Sequence, residues 1–245
     1  MRIAIDSGGT FTDCVFVRDG KLQIIKVASR PDDPAQAIVE AVHLAVARAS
    51  SNIETHDLVC GTTVGTNALL ERRGGRVALI TTSGFEDVLE IGRQARAKLY
   101  DLFLQKTEPL APSSRRLGAK ERLASDGSIV QPLSTAEISH VLRQIKKVNP
   151  DSVALCLLFS FRNPLHEKRI AANLRSVGYA VSVSHEILPE FREYERTSTT
   201  VINAYLVPVM SSYLRDTTVR VAAVFSQQAG KTSEKNRRQS STLSR

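Results

Sequence analysis

One short segment constrains the fold of this chain more than any other: residues 6–13, with the sequence DSGGTFTD, which join two apolar runs at residues 3–5 and 14–17. Two such runs connected through adjacent glycines predict a pair of strands with a tight hairpin turn. Because Gly8 and Gly9 lack a Cβ, their backbone can approach a ligand closely, and successive N–H groups can form a concave site for an anion. The glycine pair alone favours a plain hairpin turn.

The polar residues around the two glycines shift the interpretation toward a nucleotide-phosphate site. Thr10 and Thr12 offer hydroxyl donors, and Asp6 and Asp13 offer the hard oxygen ligands that hold Mg²⁺, directly or through its water shell. The predicted cofactor-binding residues, of which the two aspartates are also the predicted metal ligands, are Asp6, Gly8, Gly9, Thr10, Thr12 and Asp13.

A second group of polar side chains follows a short apolar strand at residues 58–60. Thr62, Thr63, Thr66 and Asn67 come after this strand, and open α/β sheets bind ligands at the carboxyl ends of their strands. Threonine is equally common there as a helix cap. From the residues alone, the ligand site and the cap are evenly balanced.

Charged residues in two later segments are candidates for binding a substrate or for forming ion pairs. Arg93, with Arg96 and Lys98, could bind a carboxylate or phosphate through two hydrogen bonds, although a solvated charged loop explains them equally well. The charged cluster at residues 190–196 is typical of ion pairs within one helix. Neither the histidines nor the cysteines show metal-ligand spacing, so catalytic residues stay unassigned.

Four motifs resemble known families. The pattern at residues 6–13 resembles the first phosphate loop of the actin-like ATPase and sugar-kinase superfamily, and residues 60–72, 84–94 and 192–200 resemble the hydantoinase A / 5-oxoprolinase family. Because the four motifs occur in order, the chain is identified as the N-terminal domain of that family over residues 1–216. Cys60 stands where the family pattern commonly has histidine, so any role of a histidine there is open.

The resemblance implies an α/β fold: the N-terminal half of an actin-like, ribonuclease H-like ATPase, with a mixed sheet, covering helices and a second βα subdomain. Three apolar runs followed by strand-helix repeats agree with a meander that continues into a mostly parallel sheet. Subdomains are expected at residues 1–92 and 134–190. A helix is expected from Glu190 to Asp216, kinked or interrupted by Pro208.

Composition limits where the protein can be located and which partners it can bind. The apolar content of 42% is enough for a real core, and no apolar run is long enough to span a membrane, so a cytoplasmic protein is expected. The formal net charge is +8, and much of it lies in a C-terminal segment rich in serine, glutamine and lysine. Residues 217–245 are therefore predicted to be a disordered basic tail. The last fifteen residues, 231–245, lack aromatic residues for stacking on bases and show no helical pattern, so neither nucleic acid nor membrane is expected as a partner.

The resemblance also implies an activity: ATP-dependent opening of a cyclic amide such as 5-oxoproline or a hydantoin, by Mg²⁺-assisted phosphoryl transfer to the amide oxygen. It favours Thr62, Thr63, Thr66 and Asn67 as substrate residues, together with Arg93. No second Gly-Gly phosphate loop follows residue 13. Since an actin-like ATPase holds its nucleotide between two halves, the chain alone is expected to be inactive without a separate C-terminal half or second subunit.

Three alternatives remain open. The chain could be a non-catalytic binding or assembly module, or a truncated gene product, that keeps the fold. It could belong to an ATP-dependent carboxylase, because related members of the family carboxylate small ketones. It could also be a sugar- or acetate-kinase-like protein, although the motifs outside the phosphate loop argue against that.

Overall fold

The computed structural model describes residues 2–30, 32–48, 57–94, 100 and 107–242, with side chains as far as residue 227. The chain forms two compact units. The first unit combines Met1–Arg72 with Val209–Arg245, and the second is Arg73–Pro208. This division replaces the expected subdomains at residues 1–92 and 134–190, because the strand after residue 76 pairs with later strands and not with the first sheet.

The first unit is built on a four-stranded mixed sheet. Its elements are β1 (Arg2–Ser7), β2 (Phe11–Arg18), β3 (Lys21–Ala28), α1 (Pro34–Arg48), β4 (Asp57–Thr62) and α2 (Val64–Leu70). The strand order is β3-β2-β1-β4. The first three strands form the predicted antiparallel meander, and β4 joins parallel to β1.

The two faces of the first sheet differ in what covers them. Alternate residues such as Ile3, Ile5 and Phe16 are buried in a cluster that includes one stripe of α1. The opposite face stays exposed although it is largely apolar: the exposed fractions are 57% for Val17, 63% for Leu22 and Ile24, and 55% for Val59. We call the exposed face, made by Phe11, Val17, Leu22, Ile24 and Val59, the open face.

The second unit is built on a four-stranded parallel sheet. Its strands are β5 (Val77–Thr82), β6 (Arg116–Ala119), β9 (Ser152–Cys156) and β10 (Val181–Val183), and a separate hairpin is formed by β7 (Arg122–Leu123) and β8 (Ile129–Gln131). The helices are α3 (Val88–Ile91), α4 (Thr135–Val148), α5 (Leu165–Ser176) and α6 (Ser184–Ile187). The last helix, α7 (Glu193–Thr242), belongs to this unit as far as Pro208 and to the first unit from Val209 on. The sheet order is β10-β9-β5-β6.

Helices cover both faces of this second sheet. Ile80 and Leu155 lie in one buried cluster with residues of α4 and α5. On the other face the first part of α7 makes polar contacts, for example from Asn203 Nδ2 to Ser182 Oγ at 2.8 Å. Helix α4 begins with a capping hydrogen bond, in which the Ser134 side chain accepts from Glu137 N.

Residues 153–159 form one continuous apolar run, but β9 ends at Cys156. The next two N–H groups bind side chains instead of a neighbouring strand. Leu157 N donates to the buried carboxylate of Glu167 at 2.8 Å, and Leu158 N donates to Thr82 Oγ1 at 2.9 Å. These two side chains supply the acceptors for the backbone at the point where the chain leaves the sheet.

The last helix extends much further than the predicted end at Asp216. The backbone of α7 is helical to Thr242, and Val221 and Val224 are buried in the core of the first unit. The predicted disordered tail is therefore wrong for its first part, residues 217–225. The buried stripe that includes Tyr213 continues at helical spacing to these valines, and burial of this stripe stabilises the helix. None of the described helices combines the length and apolar character needed to cross a bilayer.

Pro208 lies inside α7 without ending the helix. Proline has no N–H group, so the carbonyl of Ala204, four residues earlier, loses its normal helical partner. Ser152 Oγ donates to that carbonyl at 2.6 Å, and Gly75 N donates to the carbonyl of Tyr205 at 2.9 Å. Gly75 must be glycine for this approach, because a Cβ there would lie 2.7 Å from Pro208 Cγ. Donors from outside the helix thus compensate for the proline.

We predict that Ser152→Ala lowers the free energy of unfolding by about 1–3 kcal/mol, because it leaves the buried Ala204 carbonyl without its donor. Adding Pro208→Ala to that variant should recover part of the loss, since alanine restores the helical N–H. Urea denaturation of the single and double variants measures both effects. Ser176→Ala is the matched control, because Ser176 also donates to a backbone carbonyl but is exposed. Additive effects of the two substitutions would contradict the explanation.

Candidate functional site

The predicted phosphate loop lies where two parallel strands of the first sheet end together. Ser7 at the end of β1 pairs with Thr62 at the end of β4. The hairpin turn after Ser7 and the start of α2 therefore meet at the same edge of the sheet, which is where open α/β sheets bind ligands. We call the group formed by Asp6, Gly8, Gly9, Thr63 and Asn67 the glycine-turn site.

The turn itself is tight and lies against a polar side chain. Gly8 N donates to Phe11 O at 3.0 Å, and a Cβ on Gly8 would lie 3.1 Å from the same oxygen. A Cβ on Gly9 would lie 3.4 Å from Asn67 Nδ2. A side chain at Gly8 would crowd the turn, whereas a Cβ at Gly9 would come only into ordinary contact with Asn67. The glycine pair therefore leaves the backbone of the turn uncovered by side chains of its own.

The two predicted metal ligands differ in how free they are. Asp6 and Asp13 are directly opposite each other in the β1–β2 register and share the exposed side of the sheet. Asp13 forms an ion pair with Lys26 at 2.9 Å. Asp6 is exposed, and none of the described hydrogen bonds or ion pairs involves its carboxylate. Asp6 is therefore the better of the two candidates.

The donor set fits magnesium better than a metal held in an all-protein cage. Among the described residues, no group of three or more His, Cys, Asp or Glu side chains is arranged to hold a metal ion. Mg²⁺ bound with a nucleotide commonly uses one or two carboxylates, the phosphates and several waters. A single free carboxylate beside the turn, from Asp6, suits that arrangement.

The two threonines of the loop have unequal roles. Thr12 is fully buried, and its hydroxyl is 3.0 Å from Ser29 Oγ. Thr10 is exposed, and its backbone carbonyl accepts a hydrogen bond from Ser29 N at 2.9 Å. The structure thus turns the Thr12 hydroxyl to the buried side, where it holds the hairpin to the end of β3, and leaves the Thr10 hydroxyl free for a ligand.

The second predicted group supports the turn and leads into α2. Thr63 donates to Ser7 O from its backbone N at 3.1 Å and from Oγ1 at 3.4 Å. Asn67 Nδ2 lies 3.5 Å from Thr63 Oγ1, so it connects α2 to the same edge. Thr62 Oγ1 accepts from Val64 N at 3.2 Å and so forms a turn just before α2, whereas the N-cap residue Thr63 makes no side-chain capping hydrogen bond. Thr66 is exposed on α2.

A residue that the sequence analysis did not select lies next to these threonines. Tyr213, on α7, is buried, and its hydroxyl is close to Cys60, Thr62 and Ser7 without forming a well-aligned hydrogen bond. Burial raises the pKa of Tyr213, as it does that of Cys60. A raised thiol pKa opposes a reactive thiolate, so Cys60 is poorly suited to be a nucleophile. Tyr213 continues the apolar stripe of α7 four residues after Val209, a spacing that could have revealed it.

Arg93 belongs to the second unit, whereas the other predicted substrate residues belong to the first. Its guanidinium forms an ion pair with Glu195 near the start of α7. The pKa of Glu195 is lowered, first by its own backbone N–H and then by Arg93. The charged cluster at residues 190–196 thus finds a partner outside its own helix. Arg96 and Lys98 lie outside the described residues.

Comparison with known proteins agrees with this geometry. The model of the hydantoinase/oxoprolinase N-terminal region matches residues 2–178. The chain is 38% identical over 234 residues to the caprolactamase subunit alpha of Pseudomonas jessenii, covering 91% of this chain and 33% of that protein. It is 33% identical over 258 residues to the 5-oxoprolinase of Saccharomyces cerevisiae, covering 87% of this chain and 20% of that protein.

Solved structures give the same assignment. The crystal structure of the ATP-dependent caprolactamase from Pseudomonas jessenii matches with a TM-score of 0.79 and 36% identity, over 93% of this chain and 34% of that chain. A nucleotide-free acetone carboxylase matches with a TM-score of 0.75 and 25% identity, over 93% and 34%.

These matches confirm the predicted α/β, actin-like ATPase fold. The chain spans between 20% and 34% of the length of these relatives. The family model covers well over half of the chain, and the four sequence motifs agree with it. The chain therefore belongs to the hydantoinase/oxoprolinase family, of which it contains the N-terminal region.

Proposed function

We propose that this chain is the phosphate-binding N-terminal part of an ATP-dependent amidohydrolase that opens small cyclic amides, such as 5-oxoproline or a hydantoin. The observation that carries the proposal is the glycine-turn site, where an open glycine backbone, a free carboxylate and an amide side chain meet at the ends of two parallel strands. The similarity to a caprolactamase subunit and to a 5-oxoprolinase supports the substrate class.

In this proposal ATP supplies the phosphoryl group that activates the amide oxygen, and Mg²⁺ neutralises the phosphate charge. The backbone at Gly8 and Gly9 and the hydroxyl of Thr10 would face the phosphates. Asp6 would hold the metal through its waters. Thr63, at the start of α2, holds the end of β1 through Ser7 O, and Asn67 Nδ2 lies beside Gly9, so these donors are in place before the nucleotide arrives.

A second candidate is the corresponding part of an ATP-dependent carboxylase. The likeness to acetone carboxylase favours it, and that match covers 93% of the chain. Both candidates use the same phosphate site, so they differ in the acceptor of the phosphoryl group and not in the role of Asp6. Binding of a cyclic amide distinguishes them.

We also propose that the open face of the first sheet packs on the part of the machinery that this chain lacks relative to its relatives, supplied as a separate subunit or chain segment. Val17, Leu22, Ile24 and Val59 are each more than half exposed, and neighbouring exposed apolar side chains of this kind mark interaction surfaces. Because the chain covers only 33% of the caprolactamase subunit, the remaining architecture is large enough to cover this face.

The first prediction of the proposal concerns nucleotide binding. Asp6→Asn should weaken the binding of Mg²⁺-ATP by about tenfold, because it removes the charge that meets the hydrated metal. Asp13→Asn is the matched control, since its carboxylate already pairs with Lys26, and it should change the affinity by less than about threefold. Isothermal titration measures both. Equal losses in the two variants would reject the assignment of Asp6.

The second prediction concerns turnover. The purified chain should not hydrolyse ATP in response to 5-oxoproline or hydantoin, because phosphoryl transfer requires both ends of the nucleotide to be held in place, and misplacement by about 1 Å can cost on the order of 10²-fold in rate. A coupled ATPase assay tests this, with Asp6→Asn as the control for contaminating activity. Substrate-stimulated hydrolysis that disappears in that variant would show that this chain is a complete enzyme.

The third prediction concerns the open face. In the absence of a partner the chain should self-associate through this face, and Ile24→Lys should shift it toward the monomer by placing a charge in the apolar patch. Val177→Lys is the matched control, because Val177 is 59% exposed but belongs to the second unit. Sedimentation velocity gives the distribution of species. The same shift in both variants would indicate a general charge effect and contradict this surface.

A further inference from the structure

We infer that Lys26 is a specificity-determining residue of the metal site: it pairs with Asp13, so that the glycine-turn site holds Mg²⁺ only together with the phosphates of a nucleotide. This inference rests on the proposed function, because it concerns the metal ion of that reaction. The register of the sheet places Asp13 next to Asp6, where it could be a second metal ligand, and the ion pair with Lys26 removes it from the donor set.

One row of paired residues crosses all four strands of the first sheet beside the glycine turn. Asp6 on β1 is paired with Asp13 on β2, and Asp13 is paired with Lys26 on β3. On the other side of Asp6 the row ends at Gly61 on β4. Directly paired residues share a face, with Cβ atoms about 4.5–5.5 Å apart, so the three charged side chains lie next to one another.

The two carboxylates of this row carry like charges, and like charges directly opposite each other destabilise a sheet. Among the described contacts, only Asp13 has a counter-charge. The Lys26 ammonium is 2.9 Å from Asp13 Oδ1 and 3.2 Å from Oδ2, so it engages both oxygens. The other neighbour of Asp6 is Gly61, which has no side chain to pair with it. The row therefore keeps one negative charge without a described partner, at Asp6.

Two contacts hold Lys26 in place beside Asp13. Besides pairing with the carboxylate, its ammonium lies 4.9 Å from the centre of the Phe11 ring, which is a favourable distance for a cation over an aromatic face. Both side chains of the ion pair are partly exposed, 57% for Lys26 and 41% for Asp13. Exposed ion pairs are weak, so a substitution of Lys26 should release Asp13 without unfolding the sheet.

The number of free carboxylates decides whether the site holds a cation on its own. Two carboxylates on neighbouring strands can bind one divalent cation together, and the affinity of such sites rises with the charge of the ligands. A single carboxylate leaves most of the coordination shell to water and phosphate oxygens, as in Mg²⁺-nucleotide sites. By pairing with Asp13, Lys26 keeps the site in the second class. The metal and the nucleotide then bind as a unit, and the metal ion alone binds only weakly.

The test measures cation binding to the full chain without nucleotide. Mn²⁺ is the probe, because it takes the same oxygen ligands as Mg²⁺ and is detected by electron paramagnetic resonance. The wild-type chain should bind Mn²⁺ only weakly. Lys26→Met, which removes the charge and keeps a long side chain, should bind Mn²⁺ at least about tenfold more tightly, because Asp13 becomes a second ligand. Unchanged Mn²⁺ binding in this variant would overturn the inference.

Lys21→Met is the matched control for charge. Lys21 is an exposed lysine at the other end of β3, where it is paired with Arg18. The control removes the same charge from the same strand and adds the same apolar side chain, so it should leave Mn²⁺ binding as in the wild type. Circular dichroism confirms that both variants are folded. An equal gain of Mn²⁺ binding in the two variants would show a general charge effect and reject the role of Lys26.

Two double variants show whether both carboxylates hold the ion. Adding Asp13→Asn to Lys26→Met should return Mn²⁺ binding to the wild-type level, and adding Asp6→Asn should do the same. These losses are expected because each carboxylate supplies part of one coordination shell. A gain of Mn²⁺ binding that persists without either carboxylate would place the ion elsewhere and contradict the inference.

The outcome can be separated from the proposed function, because Mn²⁺ is measured without nucleotide. Failure of the wild-type chain to bind Mg²⁺-ATP, with a gain of Mn²⁺ binding in Lys26→Met, would reject the ATP-dependent part of the proposed function alone. Mg²⁺-ATP binding that depends on Asp6, with no gain of Mn²⁺ binding in Lys26→Met, would reject the role of Lys26 alone.

Discussion

The antiparallel register of β1 and β2 determines which side chains of the glycine segment can reach a ligand. In a strand, successive side chains point to opposite faces, and directly paired residues share a face. Asp6 pairs with Asp13, and Ser7 pairs with Thr12. This single alternation exposes both carboxylates and buries both hydroxyl residues. A shift of the register by one residue would exchange the two sets, which would place the carboxylates in the apolar core.

The same alternation creates the open face. The residues that share a face with Asp6 and Asp13 include Val17, Ile24 and Val59, so the carboxylate site and the exposed apolar surface belong to one side of one sheet. Lys26 lies on that side too, where it pairs with Asp13 and stacks 4.9 Å from the Phe11 ring. Any partner that covers the apolar surface therefore also approaches Asp6, so partner binding and metal binding are expected to influence each other.

Much of the fold follows from patterns that are local in sequence. The glycine hairpin, the meander, the helix start at Ser134 and the turn at Gly127 all depend on residues within a few positions of each other. The edge strand β6 does not. It carries Arg116, a residue atypical of a buried strand, whose guanidinium is covered because Ala111 O, Asp87 and Glu90 accept its hydrogen bonds. Partners that are distant in sequence make that strand possible, and no single-sequence pattern reports them.

In the candidate site, too, some features follow from local sequence and others depend on tertiary packing. The residue types of the loop predicted its open backbone and its carboxylates, but pattern alone could not distinguish the free Asp6 from Asp13, because Lys26 becomes a neighbour only when β3 pairs with β2. Tyr213 reaches the threonines from a helix about 150 residues later in the chain, so its contribution depends on tertiary packing.

The second unit contains several buried charged side chains, and their hydrogen-bond partners show what each of them does. Glu121 accepts from Thr82 at 2.5 Å and binds His166 at 2.7 Å, and Glu167 accepts from Leu157 N and Ser184 Oγ. These carboxylates have several partners each, so they act as fixed structural links between the sheet, its helices and the loop before β7. Arg196 is as deeply buried, yet its described acceptors are neutral. Its guanidinium also lies over the Phe161 ring, 5.2 Å from the centroid, so an aromatic face and two backbone carbonyls take the place of a carboxylate partner. The charge is therefore held by the fold itself, and it ties the start of α7 to the end of β9.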